Sequence, residues 1–459
     1  MKVVLLQPPA AHHQSSIEYE PLGLAYLAAS LEKAGHSAAI LEADLNGWDC
    51  KRLADEALKL SPKLIGVTAA TIDYENALKT ARLIKETSTI PIVIGGPHAS
   101  SSADEVEKAK IFDAVIVGEG DETIVELADY FNQEPSDYSK ISKIKGLAVS
   151  APREPINDID QIPFPARHLL HHPSKYQPSP GSYKNRPIAG VITSRGCPFN
   201  CIFCSHAVFG HKVRFRSPEN VVLEVEQLLN DYKVKEIRFW DDTFNLDRQR
   251  VFKICELINT KGLKFSWSCQ GRVDCLTKEL AKEMAKAGCW QICFGLESGS
   301  QEMLDKMKKN ISLEAAEKAV REAKNAGLET KGFFILGLPG ETKQTIQQTI
   351  NFARRLPLDL AQFSLATPFP GTVFKEQVQN QLKTAGFSSF QQMYSGKSLP
   401  YAPPTLTAKE LGKAYQRAYK SFYIRPSFII KKIAKPAFWR KGYRSLFALM
   451  KLLFAPTPD

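Results

Sequence analysis

Over residues 1–140, short apolar runs alternate with longer stretches whose apolar positions recur every three or four residues. The runs at 3–6, 38–41, 64–67, 92–94 and 114–117 read as strands, and the stretches at 22–34, 50–60, 74–86, 103–110 and 121–131 as amphipathic helices. That alternation predicts an α/β domain, a parallel sheet with helices on both faces, whose glycine-rich strand ends share the edge where open α/β sheets place ligands. Between 141 and 187 the periodicity fades and proline becomes frequent, which reads as a linker with local turns. From 188 the alternation returns at a regular step, with strands at 188–193, 236–240, 265–269, 291–295, 332–336 and 362–366. Helical stretches at 218–231, 248–260, 277–287, 312–326 and 343–355 separate them. Six such units are too few for a closed eight-fold barrel, so an open (β/α)6 barrel over 188–375 is expected, with its chemistry at the C-terminal strand ends. Residues 376–459 read as a final helical, basic segment.

Composition changes this picture mainly at the end of the chain. Hydrophobic content of 44% and charged content of 24% are those of a globular protein, and 459 residues exceed what one core usually holds. The net charge of +11 is concentrated: eleven Lys or Arg and no acid lie between Leu411 and Pro458, so the rest of the chain is close to neutral. Nucleic acid is therefore not expected as a partner of the main body. From Phe422 to Phe454 these cations mix with aromatic and aliphatic residues, which suits either a helix packed on the barrel or one lying on an anionic membrane surface. Nowhere do eighteen uninterrupted apolar residues occur, so no membrane span is expected. Met1 and Lys2 lead straight into the first strand without a signal peptide, and nine cysteines without a pairing pattern fit a reducing compartment. The expected location is the cytoplasm, with peripheral contact at the inner face of the membrane through the basic tail.

Candidate chemistry is concentrated after the strand at 188–193. There Ser194-Arg195-Gly196 turns into Cys197-Pro198-Phe199-Asn200-Cys201-Ile202-Phe203-Cys204, three cysteines at CxxxCxxC spacing. Three thiolates do not close a tetrahedral zinc site, although His206 is available as a fourth ligand; they do hold three irons of a 4Fe-4S cluster and leave the fourth open. Cys269, Cys275, Cys289 and Cys293 are too dispersed for a second cluster and read as small apolar residues. Other strand ends carry polar groups: Asp241-Asp242-Thr243-Phe244, with Asp247 downstream as a candidate helix cap, then Arg272, then Glu297 and Ser298, then the turn from Gly337 to Thr342. In the first domain the corresponding ends hold Gln7-Pro8-Pro9, Thr68, Gly95-Gly96-Pro97-His98 and Gly118-Glu119-Gly120-Asp121. Glycine there permits positive φ and close backbone approach to a bulky ligand. His168, His171 and His172 in the linker point only weakly to a metal.

The cysteine loop, with an aromatic residue before its last cysteine, resembles the signature of the radical S-adenosylmethionine (SAM) enzymes. The N-terminal stretch resembles the Rossmann-like cobalamin-binding domain that precedes the barrel in one large subgroup, that of the class B radical SAM methyltransferases. The resemblance implies that Cys197, Cys201 and Cys204 ligate a 4Fe-4S cluster, that Phe203 packs on the adenine of SAM, and that Asp241 or Asp242 accepts from its ammonium group. Glu297 and Ser298 would then bond the ribose, Gly337 would face the adenine side, and Arg272 would either meet the SAM carboxylate or form a structural ion pair. Cobalamin would lie against Pro8, Thr68, Gly95, Gly96, His98, Gly118, Glu119 and Gly120. Many such domains carry an Asp-x-His-x-x-Gly motif whose histidine ligates cobalt, but no Asp stands two residues before any of the nine histidines here. His98 is the remaining candidate contact. The implied activity is reductive cleavage of SAM, with an electron from an external flavodoxin or ferredoxin type donor, to a 5'-deoxyadenosyl radical that opens an unactivated carbon of a small, hydrophobic molecule to methylation. Rival outcomes are ring closure or oxidation of a tetrapyrrole or lipid-like substrate without methyl transfer and, from another class, a non-enzymatic redox sensor, against which the SAM-pocket segments argue.

Overall fold

A computed structural model describes residues 1–11, 19–133, 140–179, 181–384, 399 and 401–433, and these build two parallel sheets with helices around them. The first sheet contains β1 (Lys2–Gln7), β2 (Ser37–Glu42), β3 (Leu64–Thr68), β4 (Ile92–Gly95) and β5 (Ala114–Val115) in the order β2-β1-β3-β4-β5. The helices Leu22–Lys33 and Thr123–Gln133 cover one face through Leu24, Ala28, Leu127 and Phe131. The helices Cys50–Lys59 and Tyr74–Thr87 cover the other through Leu53, Ala57, Ala77 and Ala81. Strand order reverses at β1, so the chain leaves β1 and β3 toward opposite faces and a crevice opens between their C-terminal ends. β5 is shorter than its apolar run because Ile116 makes an antiparallel bridge to Leu147, and the linker thereby covers the sheet edge.

The second sheet runs β6 (Ile188–Val191), β9 (Glu236–Phe239), β10 (Ser266–Gly271), β11 (Cys289–Glu297), β12 (Glu329–Leu336) and β13 (Leu360–Leu365), neighbours in sequence order and all parallel. Between β6 and β9 the sequence analysis missed a two-stranded antiparallel ribbon, β7 (Ser194–Arg195) with β8 (Arg214–Phe215). Each of five barrel helices starts where a short polar side chain, Ser217, Asp247, Thr277, Ser312 or Thr342, accepts from the backbone N–H three residues on. Residues on the helix side of the strands, such as Ile237, Phe239, Trp267, Phe294 and Phe334, join one core. The opposite side stays accessible: along β12 buried residues alternate with the half-buried Lys331, Phe333 and Ile335, and along β13 Gln362 and Ser364 are exposed. The barrel interior is thus open and partly polar along β12 and β13, whereas β6 and β9 are buried throughout and β10 is buried at all but Gln270.

β13 is a sheet edge, and the helix Ala408–Tyr423 closes it. Tyr419 Oη accepts from Phe363 N at 3.2 Å and donates to Phe363 O at 3.0 Å; one turn on, Tyr423 Oη accepts from Ala361 N at 3.1 Å and donates to Ala361 O at 2.6 Å. Two phenols therefore satisfy backbone groups that would otherwise template another strand. After this helix, Phe428 of the helix Pro426–Ile433 is buried while Ile424, Ile429 and Ile430 are exposed. The rest of the basic tail, 434–459, lies outside the described residues, among which no helix is long and apolar enough to cross a membrane.

The linker binds both sheets together. Ile159 and Ile162 pack against Leu22 and Tyr26, and the buried Arg167 reaches Glu20 at 3.6 Å before the first helix and Glu224 at 2.7 Å on the first barrel helix. Its histidines have local partners: His168 faces Glu32, His171 faces Glu42, and His172 accepts from Ser174 N.

Candidate active site at the seam between the sheets

The cysteine loop is fixed at its base by Asp241, just beyond β9. Its Oδ1 accepts from Thr193 N (2.7 Å), Ser194 N (2.5 Å) and Ser194 Oγ (2.9 Å), and its Oδ2 from Thr193 Oγ1 (2.6 Å). The β7–β8 ribbon then closes the neck of the loop. Gly196 sits at φ 91°, and a Cβ there would lie 2.5 Å from Lys212 O, so only glycine fits. Further along, Ile202 N donates to Met307 O, Phe374 N donates to Ile202 O, and the Ile202 side chain is buried among Met303, Met307, Leu338 and Phe374. These ties present Cys201 buried, Cys197 half-buried and Cys204 exposed on one short loop. A hydrogen bond with Cys204 holds the Cys201 thiol down to about 7, and Lys309 and Arg272 reinforce it against burial. His206 stacks on His211 with ring centroids 3.8 Å apart, and among the described residues no three His, Cys, Asp or Glu side chains converge on one ion. Three cysteines without a fourth protein ligand fit a cluster, in which each thiolate holds a different iron, better than tetrahedral zinc.

Several of the anticipated SAM residues gather around Cys201. Glu297, at φ 60° at the end of β11, pairs with Lys309 Nζ at 2.9 Å, both side chains buried, and the same Nζ stands 5.8 Å from the Phe203 ring centroid. Arg272 bonds Asp274 Oδ2 at 2.9 Å and Lys309 O at 3.1 Å, and its guanidinium carbon lies 3.5 Å from the centroid of Phe199 in the loop. Asp241 is fully engaged by the chain, and Asp247 serves as the helix cap. Asp242 is exposed and has no hydrogen bond among the described residues. Ser298 is turned into the scaffold, where its Oγ lies 3.1 Å from Thr349 Oγ1 and accepts from Ser300 N. Gly337, at φ 95°, leaves room for Leu411, whose Cδ2 would meet a Cβ at 2.7 Å. Glu341 accepts from Gly337 N within the same turn, and burial pushes its carboxyl up to about 7.

At the reversal of strand order in the first sheet lies a cavity of about 130 Å³, lined by Thr68, Gly95, Gly96, Gly118, Glu119 and Gly120. Leu27, Val93, Ile116 and Ile124 add an apolar wall. Pro8 and His98 do not line it. His98 is buried to the side, its ring 4.1 Å from that of Tyr74 and its Nδ1 3.3 Å from Thr71 Oγ1, and burial lowers its pKa to about 4. Gly96, at φ 94°, has room only for a hydrogen: a Cβ would lie 2.7 Å from Thr68 Oγ1. An apolar wall floored by bare glycine backbone fits close contact with an apolar part of a bulky ligand such as cobalamin.

What the sequence reading missed is the lock between this cavity and the cysteine loop. Glu119 and Asp121 both pair with Arg195 on β7 at 2.8 Å, Glu119 also pairs with Arg214 on β8, and all four side chains are buried. Val208 and Phe209 from the loop complete the cavity wall. A second cleft of about 270 Å³ crosses the same seam, between Thr71 and Ser101 on one side and Phe203, Ser205 and Pro370 on the other. Charged residues at strand ends look solvated in a sequence, and only their placement across the seam reveals the pairing.

Comparison with known proteins agrees with this geometry. Residues 191–353 match the Radical SAM superfamily and residues 14–128 the B12 binding domain. An uncharacterized methyltransferase of Pyrococcus horikoshii is 34% identical over 94% of this chain and 95% of its own. An anaerobic magnesium-protoporphyrin IX monomethyl ester cyclase of Cereibacter sphaeroides is 30% identical over 93% of this chain and 71% of its own. In fold, the chain is similar to the cobalamin-dependent SAM radical enzyme OxsB, with a TM-score of 0.75 at 18% identity over 99% of this chain and 72% of that one. The chain therefore belongs to the radical SAM superfamily, in its cobalamin-binding branch, as an enzyme that works with a 4Fe-4S cluster, SAM and cobalamin.

Proposed function

We propose that this enzyme methylates an unactivated carbon of a small molecule held in the barrel lumen. The observation that carries the reading is the buried Arg195–Glu119–Asp121–Arg214 cluster, which fixes the glycine-lined crevice against the neck of the cysteine loop, so that two cofactor sites open on one seam. Direct group transfer requires such fixed proximity. When bound, the cluster and SAM supply a carbon radical able to remove a hydrogen atom, and cobalamin supplies the methyl group that replaces it.

In this reading Cys197, Cys201 and Cys204 hold the cluster, and Lys309 and Arg272 offset the charge of the thiolates. Asp242 accepts from the SAM ammonium group, Phe203 packs on the adenine, and the Glu297–Lys309 pair orients the ribose side. Thr68, Gly95, Gly96, Gly118 and Gly120 shape the cobalamin crevice. Exposure of Cys204 leaves an approach for an external electron donor of the flavodoxin or ferredoxin type. The exposed Ile424, Ile429 and Ile430, where the basic tail begins, support contact of that tail with an anionic membrane surface. The relative named as a cyclase supports a second reading, ring closure without methyl transfer.

The test is to incubate the holoenzyme with reductant, SAM bearing a deuterated methyl group, and a small-molecule extract. Methylation predicts a compound that gains the labelled methyl group in place of a hydrogen. Compounds that lose hydrogen and gain no label would replace methylation with the cyclase reading.

A further inference from the structure

Among the described residues seven arginines are buried, and six of them have anionic or carbonyl neighbours close by. Arg167, Arg195, Arg214, Arg216 and Arg272 each pair with a carboxylate. Arg250 donates to two backbone carbonyls at 2.8 Å and lies in the field of Asp241 and Asp247. Arg238, on β9, is the exception. It is 5% exposed, and among the described residues Nη1 reaches only the Ser268 hydroxyl at 3.3 Å, Nη2 only the Cys293 thiol at 3.7 Å, and Nε has no partner. No carboxylate pairs with it among the described residues. The groups whose charge acts most on it are Cys293, Tyr19 and Cys269, none of them a carboxylate.

A guanidinium does not shed its proton, so its burial without a counter-charge is unfavourable by several kcal/mol in order of magnitude. Its place explains why the fold keeps it. Ile237 and Phe239, on either side along β9, join the core under the helices, so Arg238 points to the lumen, as do Ser268 and Cys293 on the next two strands. Its guanidinium carbon lies 5.0 Å from the Trp240 ring centroid, which braces the plane of the fork. Lys331 stands in register with Cys293 on β12, and its charge acts on that thiol, so the same wall carries a second cation.

We propose that Arg238 is the seat for an anionic oxygen group of the substrate, a carboxylate or a phosphate-type group, inside the lumen. The inference deepens the proposed function and rests on the lumen being the substrate site. A planar fork whose Nε has no partner among the described residues, and whose ends are weakly engaged, can donate to two oxygens in parallel. The anion supplies the missing counter-charge and orients the rest of the molecule along the half-buried wall of β12 and β13.

The experiment measures melting of the full chain as holoenzyme, at constant ionic strength, against rising succinate, inorganic phosphate or pyrophosphate, with chloride as reference. For the wild type a saturable rise in melting temperature is expected, with succinate leading if the group is a carboxylate and the phosphates leading if it is phosphate-type. Arg238→Met should melt no lower than the wild type without anion and bind the anion about tenfold or more weakly. Arg238→Lys should retain part of the anion response. Absence of a saturable rise in the wild type, or its full retention in Arg238→Met, overturns the proposal. So does marked destabilisation of Arg238→Met without anion, which would make the residue structural. Formation of 5'-deoxyadenosine in the same preparations reports the radical SAM reading separately, since anion binding needs no turnover.

Discussion

Two adjacent aspartates after β9 carry different duties, and replacing each in turn separates them. The Asp241 carboxylate is the acceptor for Thr193 N and Ser194 N and for both hydroxyls, at sites where Thr193 is fully buried and Ser194 nearly so. Asp241→Ala leaves two buried N–H donors without acceptors, each worth about 1–3 kcal/mol, so a loss of about 2–6 kcal/mol is expected. If the barrel melts as a unit, that is a fall of roughly 5–15 °C. Asp241→Asn keeps the shape and loses the charge, for about 1–2 kcal/mol. Asp242, exposed and without a hydrogen-bond partner among the described residues, should be silent in melting, while its removal should weaken SAM binding by about tenfold under the proposed function. Differential scanning fluorimetry and calorimetric titration with SAM read the two properties on the same preparations. Wild-type melting of Asp241→Ala together with lost SAM affinity, or normal SAM binding by Asp242→Ala, would refute this division of duties.

Other consequences follow from the same contacts. Tyr423→Phe strips Ala361 N of its acceptor at the β13 edge and should lower stability by about 1–3 kcal/mol in thermal melting, with Tyr419→Phe acting in the same direction. Arg195→Met leaves Asp121 uncompensated at the seam and Glu119 with Arg214 alone, so a loss of about 3–5 kcal/mol is expected, together with lower iron content per chain. Glu341, at about 7 in the fold against 4.5 when free, holds its proton more tightly folded than unfolded. Its contribution is therefore complete below about pH 4.5 and lost as pH rises through 7, so Glu341→Gln should flatten the decline in melting temperature between pH 5 and about 8. His98 acts in the opposite sense: at about 4 in the fold against 6.5 when free, it costs stability as pH falls from 6.5 to 4, and His98→Phe should reduce that acid sensitivity in the same melts.

Both sheets were legible in the sequence because parallel strands buried on both faces read as apolar runs, and a regular helix spacing fixes their connections. The cysteine loop was legible because ligand spacing is local. Ambiguity remained where a residue type serves two purposes. An acid at a strand end looks the same whether it stands exposed, as Asp242 does, or clamps a neighbouring turn, as Asp241 does; only the position of Thr193 and Ser194 separates them. Gly337 and Ser298 were read as ligand-facing, yet Gly337 makes room for Leu411 and Ser298 ties the turn after β11 to Thr349. Lys309 drew no attention because it lies in a loop with no motif, and its importance comes from contact with Glu297 and proximity to Cys201. The β7–β8 ribbon is two residues wide, too short for any period-2 pattern to register. Arg238 was invisible for a further reason: what distinguishes it is the lack of a carboxylate partner among the described residues, which a sequence does not display.

The central claim is that one seam joins radical SAM chemistry to cobalamin-dependent methyl transfer, and it is tested most directly by quantifying both SAM-derived products. Protein expressed with cobalamin, purified without oxygen and supplied with SAM and a reductant should form 5'-deoxyadenosine together with S-adenosylhomocysteine. Formation of the second should fall away when cobalamin is withheld, and Cys201→Ala should abolish the first. Accumulation of 5'-deoxyadenosine alone, with no cobalamin-dependent S-adenosylhomocysteine, would contradict the methyltransferase assignment.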